Sequence, residues 1–378
     1  MYRGHVSVFA LRLHSTYRCR HSGVCCNEGW DIAVDAPLHA HLIDDIRTGA
    51  LTVDAPADVP RFVPAAGLPH GEPVVAGRIG CQCVFFEPDR GRLCAIQRQR
   101  GHQWLPSACQ HFPRVVTMDP RGVFVSLSHV CPTAASLLFA DCDDPFALVS
   151  EGPLLTHDLR WAGLDARDAL PPQLSARVLW DWPALGRWED GVRRVLDRGS
   201  PERALHVLRL AAARLENWRP SAGPALEEEV ALAIDDAFLA AEDADVPGIE
   251  RLDALVRQSV PDGLSVQPAP AHREAIDGDL VVSGWHALDR AVGRFLAARA
   301  IANWTGYHAA SATAWVRSLE AAYAVLRVEC ARQSAVSNRP LDRALFTAAA
   351  ADADRLLVHR VDAAILARHV NLDGARRP

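Results

Sequence analysis

The chain has 378 residues, 49% of them hydrophobic and 23% charged, with a formal net charge of -6 and a pI near 6.2. That length exceeds what one hydrophobic core usually organises, so two domains, or one domain with a large appended bundle, are expected. The acidic balance argues against a broad phosphate-binding face, and no apolar stretch is long enough to span a bilayer, so neither nucleic acid nor a membrane is an expected partner.

All 40 basic residues are arginine. A GC-rich genome accounts for that bias. Its chemical consequence is that no lysine is present to form a Schiff base, act as a general base or hold a phosphate, which excludes phosphoryl transfer of the P-loop or kinase kind.

Apolar and polar side chains alternate in part over residues 6–19, which predicts a strand that delivers Cys19 at its end. The loop Cys19-Arg-His-Ser-Gly-Val-Cys25-Cys26 follows, and residues 30–34 repeat the strand pattern. Asp35 then reads as an N-cap, with Pro37 in the first turn, for a helix running to Thr48 before Gly49. Residues 52–80 are rich in Pro, Gly and Ala and read as an irregular connection. Over residues 81–96 an apolar strand, a turn at 88–91 and a returning strand predict a hairpin that brings Cys83 close to Cys94. Residues 103–111 carry Cys109, and residues 122–128 predict a strand ending just before Cys131.

Beyond residue 133 helical signals dominate, over 188–218, 225–241, 288–304, 312–331 and 341–370. Trp180, Trp182 and Trp188 straddle Pro183 and are expected to pack between this bundle and the N-terminal region. The expected fold is α+β and mainly α: a small, irregular cysteine-rich region with short strands over 1–140, then a helical region over 141–378. The acidic stretches 141–144 and 350–354 lack EF-hand ligand spacing and read as solvated loop or helix faces.

Nine of the ten cysteines fall between residues 19 and 142, and only Cys330 lies outside. A disulfide framework, a reduced metal or cluster site, and unrelated buried thiols compete to explain that crowding. Arg and His interrupt every apolar run of the opening residues, so no secretory signal is read there and a cytoplasmic, reducing location is expected. Reduced thiols at this density favour metal or cluster binding. The candidate ligands are Cys19, Cys25, Cys26, Cys83, Cys94, Cys109 and Cys131, with Cys81 and Cys142 as neighbours.

Thiolates are soft ligands that suit zinc and iron–sulfur clusters. The spacings match neither a zinc ribbon, nor a ferredoxin run, nor a Cys-x3-Cys-x2-Cys loop, so the site has to be assembled from separate loops. Cys25 and Cys26 point differently on an extended backbone, and serve either two metals or one metal with a supporting thiol. His21, His102, His111 and His129 lie near cysteines and read as supporting polar groups rather than ligands. His39 and His41, two apart on a predicted helix, make a poor pair.

Several segments carry a resemblance: Cys19-x2-Ser22-Gly23-x-Cys25-Cys26, Cys83-x-Phe-Phe, Leu93-Cys94-x-Ile96, Leu105-Pro-Ser-Ala-Cys109-Gln-His-Phe-Pro113-Arg114 and Leu127-Ser-His-Val-Cys131-Pro132. They resemble the cysteine-cluster proteins described as zinc- or iron-chelating, and within them the flagellin lysine-N-methylase group. The likeness runs over residues 6–140, with weaker similarity in 288–327 and at Arg355-x3-His359. It implies an iron–sulfur cluster, or alternatively zinc, and methyl transfer from S-adenosylmethionine to lysines of a protein such as flagellin.

Position 22, often a further cysteine in that family, is serine here. Arg114 is a candidate to clamp the donor's carboxylate, with a structural ion pair as the alternative. No glycine-rich Rossmann signature is present, since Gly77-Arg-Ile-Gly80 precedes cysteines rather than a helix. The competing functional expectations are a non-catalytic metal-binding interaction module and a thiol redox sensor.

Overall fold

The computed structural model describes residues 7–64, 74–155, 161–221, 223–241, 281, 284–360 and 362–372. The fold is mainly α with several small sheets, the α+β class expected. The chain forms two compact units, one from Arg18–Arg114 with Val130–Thr133, the other from Met1–Tyr17, Val115–His129 and Ala134–Pro378. The strands read together with the cysteines over 1–140 are therefore shared out, and Val8–Leu11 and most of the hairpin before Cys131 belong to the helical unit.

In the smaller unit Asp35 caps the helix Ala36–Thr48 by accepting the Leu38 N–H at 2.9 Å, and Gly49 ends it at φ 81°. Part of the stretch expected to be irregular is strand: Val74–Ala76 lies between Ala33–Val34 and Phe62–Pro64 in a three-stranded sheet. Residues 65–73 of that stretch lie outside the described residues. Val34, Leu42, Leu51, Val84, Phe85 and Ile96 are at the centre of a compact apolar core.

The hairpin differs in register from the one expected. Phe86 pairs with Cys94 and Glu87 with Leu93, while Cys83 pairs with Arg78 in a separate two-stranded ladder. The chain turns between those ladders, so two short pairings replace one long one.

In the larger unit a five-stranded sheet runs Leu148–Val149, Val8–Leu11, Gly122–Leu127, Arg114–Asp119, Leu164–Asp165. Val8–Leu11 is parallel to Gly122–Leu127, with Phe9 opposite Phe124 and their rings stacked at 5.5 Å. Val8, Ala10 and Leu11 are buried, as a nearly continuous apolar run requires. The strand predicted to reach Cys19 ends at Leu11. A short helix, Arg12–Ser15, replaces its second half, where the Ser15 hydroxyl donates to the Arg12 carbonyl.

Helices make up the rest of this unit. Asp181 accepts the Ala184 N–H and starts Trp182–Arg198. The single helix expected over 188–218 is broken at Gly199, because Ser200 caps a second helix, Pro201–Leu215, and Pro201 lacks the N–H that a continuous helix needs. Leu226–Ala240 and Asp289–Ile301 follow the predicted segments closely. Ala312–Ser337 is buried along most of its length, and it ends at Asn338 in the left-handed region. The last expected helix is divided: Arg343–Asp354 widens into a π-helical turn, Arg355–Arg360, and Asp362 caps a new helix, Ala363–Leu372. Trp188 is fully buried against Trp180 and Trp315, with ring centroids at 5.8 and 5.7 Å. Among the described residues no helix is long and apolar enough to cross a membrane.

Candidate metal centre

The cysteine loop is held by its own short-range hydrogen bonds. The His21 N–H donates to Cys19 Sγ at 3.4 Å, the Val24 N–H to the Ser22 hydroxyl at 3.5 Å, and Asn27 Nδ2 to the Gly23 carbonyl at 2.8 Å. Ser22 thus serves the loop through its hydroxyl. Gly23 sits at φ 75° and opens the 3-10 turn Val24–Cys26. A Cβ there would lie 2.5 Å from Phe86 Cζ, so glycine lets the loop rest on the residue that pairs with Cys94.

The remaining thiols come from three further elements. Cys83 sits opposite Arg78. The Arg78 guanidinium also pairs with Asp31 at 2.9 Å and donates to the Gly29 carbonyl, tying the stretch after Cys25-Cys26 to the Cys83 ladder. Cys94 immediately precedes the helix Ala95–Arg100. That helix is clamped by Arg98, whose guanidinium donates to both oxygens of the buried Glu87 at 2.6 and 2.9 Å. Cys109 lies on Ser107–His111. Cys83, Cys94 and Cys109 all pack against the apolar core of the unit.

These positions put five thiols in one electrostatic field. Cys26 feels Cys25, Cys94 and Cys83; Cys94 feels Cys83 and Cys25; Cys109 feels Cys94, Cys83 and Cys25. A hydrogen bond from Cys26 lowers the Cys25 pKa, and the same bond followed by burial pushes Cys26 far up. Burial raises Cys83, lifts Cys94 to about 12 and holds Cys109 well above an ordinary thiol. Cys25 is thus shifted towards the thiolate while the other four thiols are shifted towards the protonated form.

Cys131 is buried in the same compact unit and Cys19 is exposed there. Cys142 and Cys330 fall in the other unit, Cys330 fully buried on Ala312–Ser337. Among the described residues, no three His, Cys, Asp or Glu side chains stand at metal-holding geometry. The donor set nevertheless fits a soft metal in kind, with more thiols than a mononuclear site needs. Ligation therefore requires these side chains to rotate inward and release protons.

The histidines take separate places. His102 and His111 are held below the usual imidazole range, first by burial and then by the Arg114 charge. Arg114 Nη1 itself donates to the Gln110 carbonyl at 3.5 Å. His39 packs on Phe62 and His41 on Trp104, as suits two side chains on different helix faces. His129 belongs to the larger unit, where its ring and backbone both donate to Asp354. Asp354, read as part of a solvated acidic face, is buried.

Arg78 and Glu87 organise the thiol-bearing segments, and nothing in their sequence neighbourhoods announces it. No family model matches the chain, and no curated protein or solved structure matches it either.

Proposed function

We propose that the smaller unit is a thiolate-held metal centre, most of whose ligands come from Cys25, Cys26, Cys83, Cys94 and Cys109. The observation that carries this reading is the convergence of five cysteines from four separate elements into one field, although their sequence spacings follow no compact motif. Cys19 and Cys131, in the same unit, complete the pool of candidate ligands. An iron–sulfur cluster is the group proposed, with zinc as the alternative. An iron of such a cluster that is not saturated by protein ligands supplies an open coordination position.

The activity proposed for the centre is methyl transfer from S-adenosylmethionine to lysines of a partner protein, flagellin or another lysine-bearing chain. Support for that step is the resemblance of the cysteine segments together with the Arg114 guanidinium close to His102 and His111, a positive group suited to a donor's carboxylate. The test is transfer of isotopically labelled methyl from S-adenosylmethionine to a flagellin substrate under anaerobic conditions. Label on lysine with the wild type and none with Cys109→Ser is the expected result. No label with a fully metal-loaded protein contradicts the methylase reading.

One observation favours a second, structural reading. Among the described residues the apolar core of the smaller unit centres on a few side chains, Val34, Leu42, Leu51, Val84, Phe85 and Ile96 among them, and a bound metal supplies folding free energy of about 10–16 kcal/mol in small zinc domains. In that case the centre holds the unit together and another surface carries an interaction.

A further inference from the structure

Three segments of the larger unit bring two histidines and a carboxylate together in its interior. His14 lies on Arg12–Ser15, His129 follows the strand Gly122–Leu127, and Asp354 ends the helix Arg343–Asp354. Both histidines are 0% exposed, and their ring centroids are 5.8 Å apart. Asp354 Oδ2 accepts from His129 Nδ1 at 2.8 Å and from the His129 backbone N–H at 2.7 Å. A carboxylate only accepts, so the ring proton sits on Nδ1 and Nε2 keeps its lone pair.

That Nε2 has no hydrogen-bond partner among the described residues, and neither ring nitrogen of His14 has one. Burial, then His129, lowers the His14 pKa to about 3, so its ring is neutral and one of its nitrogens is a second lone-pair donor. Each buried polar atom left in this way costs about 1–3 kcal/mol. A histidine that gives one ring N–H to a carboxylate and keeps its other nitrogen for a metal is a recurring ligand arrangement. Two imidazoles on one ion at about 2 Å put their centroids about 5–6.5 Å apart, depending on the angle at the metal. The observed 5.8 Å lies inside that span.

The surroundings select the ion. Among the described residues no third His, Cys, Asp or Glu side chain completes the set, whereas zinc takes four ligands. Copper(I), a closed-shell ion, is satisfied by two imidazoles. Asp354 already faces the Arg299 guanidinium at 3.9 Å, so the group is neutral overall, and burying a monovalent ion there costs far less desolvation energy than burying a divalent one. The Phe295 ring packs on that of His129 at 5.3 Å and adds no competing donor.

We propose that His14 and His129 hold one copper(I) ion in the larger unit, His129 through Nε2, with Asp354 orienting the His129 ring. The site is separate from the thiols and stands whether or not they bind metal.

The test is proton–nitrogen correlation NMR of the intact protein with isotopically labelled histidines, titrated anaerobically with copper(I) as its acetonitrile complex. Each point is held until the spectrum is constant. Ring signals report ligation at each histidine, whatever the thiols take up. The unprotonated nitrogens of His14 and His129 are expected to shift together and saturate, and the His129 shift is expected to be lost in His14→Leu. If that variant does not fold, the wild-type titration decides alone. No shift, a shift of only one of the two rings, a His129 shift that persists in folded His14→Leu, or an equal response to zinc overturns the proposal.

Discussion

The Cys26 thiol is hydrogen-bonded to Cys25, and this single contact sets the two adjacent cysteines apart: Cys25 is lowered towards the thiolate and Cys26 is driven the other way. Neighbours in sequence therefore differ in chemistry. Cys25 is also exposed, whereas Cys94 and Cys109 are partly buried against the core.

Alkylation should reveal that difference. In metal-free, reduced protein at neutral pH, iodoacetamide is expected to label Cys25 about tenfold or more faster than Cys83, Cys94 or Cys109, since the thiolate is the nucleophile. Peptide mapping over a time course measures it. Equal rates at all four positions contradict the assignment.

Metal affinity should rise with pH. Cys26, Cys83, Cys94 and Cys109 hold their protons at neutral pH, and each proton displaced on ligation adds about one decade of affinity per pH unit. Competition with a chelator between pH 6 and about 8.5, the ordinary thiol value, should give a slope of at least about two decades per unit. A flat profile means that ligands other than these thiols hold the metal.

Gly23→Ala tests the placement of the loop. The new methyl group meets the Phe86 ring, and φ of 75° is unfavourable for alanine, so the loop cannot keep its seat beside the Phe86–Cys94 pair. A loss of about 1–3 kcal/mol in stability and a marked fall in bound metal are expected. Gly49→Ala, at similar φ but with no atom within 4 Å, should leave metal content unchanged.

Acid should weaken the larger unit through His14. This buried ring faces His129 at 5.8 Å, and burial followed by the His129 charge lowers its pKa to about 3. The unfolded chain takes up a proton near pH 6.5 and the folded one does not until about 3, so stability is full above about 6.5 and is lost as pH falls towards 3. The loss is on the order of 5 kcal/mol, and His14→Leu should flatten it in urea melts across that range. By contrast Asp354→Ala, which strands the His129 ring and backbone N–H groups, should cost about 3–5 kcal/mol at neutral pH.

Local signals were legible where the physics is local. Asp35, Pro37 and Gly49 each do what their chemistry predicts within a few residues of helix, and the helices at 226–240 and 289–301 follow apolar periodicity. Gly199-Ser-Pro201 carried the signals of a break, but apolar periodicity on both sides made the two helices read as one.

Long-range pairings were not legible. The alternation around Cys83 is compatible with Cys94 as a partner, and only the turn between the two ladders gives Cys83 to Arg78 instead. Asp354 sits in an acidic, alanine-rich stretch that looks solvated, and its burial depends on His129, which lies 225 residues earlier. The cysteines were recognisable as a set from type and crowding. That Arg78 and the Arg98–Glu87 pair hold their segments follows from ladder register and burial, which no spacing encodes.

The most direct measurement is iron, zinc and acid-labile sulfide per chain, with an absorption spectrum, on anaerobically purified wild type, Cys25→Ser, Cys109→Ser and Cys330→Ser. The account predicts iron with matching sulfide in the wild type and in Cys330→Ser, and loss of both in the other two variants. Zinc without sulfide, lost in the same two variants, keeps the thiol centre and makes it structural. Absence of metal from the wild type, or equal metal in all four proteins, contradicts the central claim.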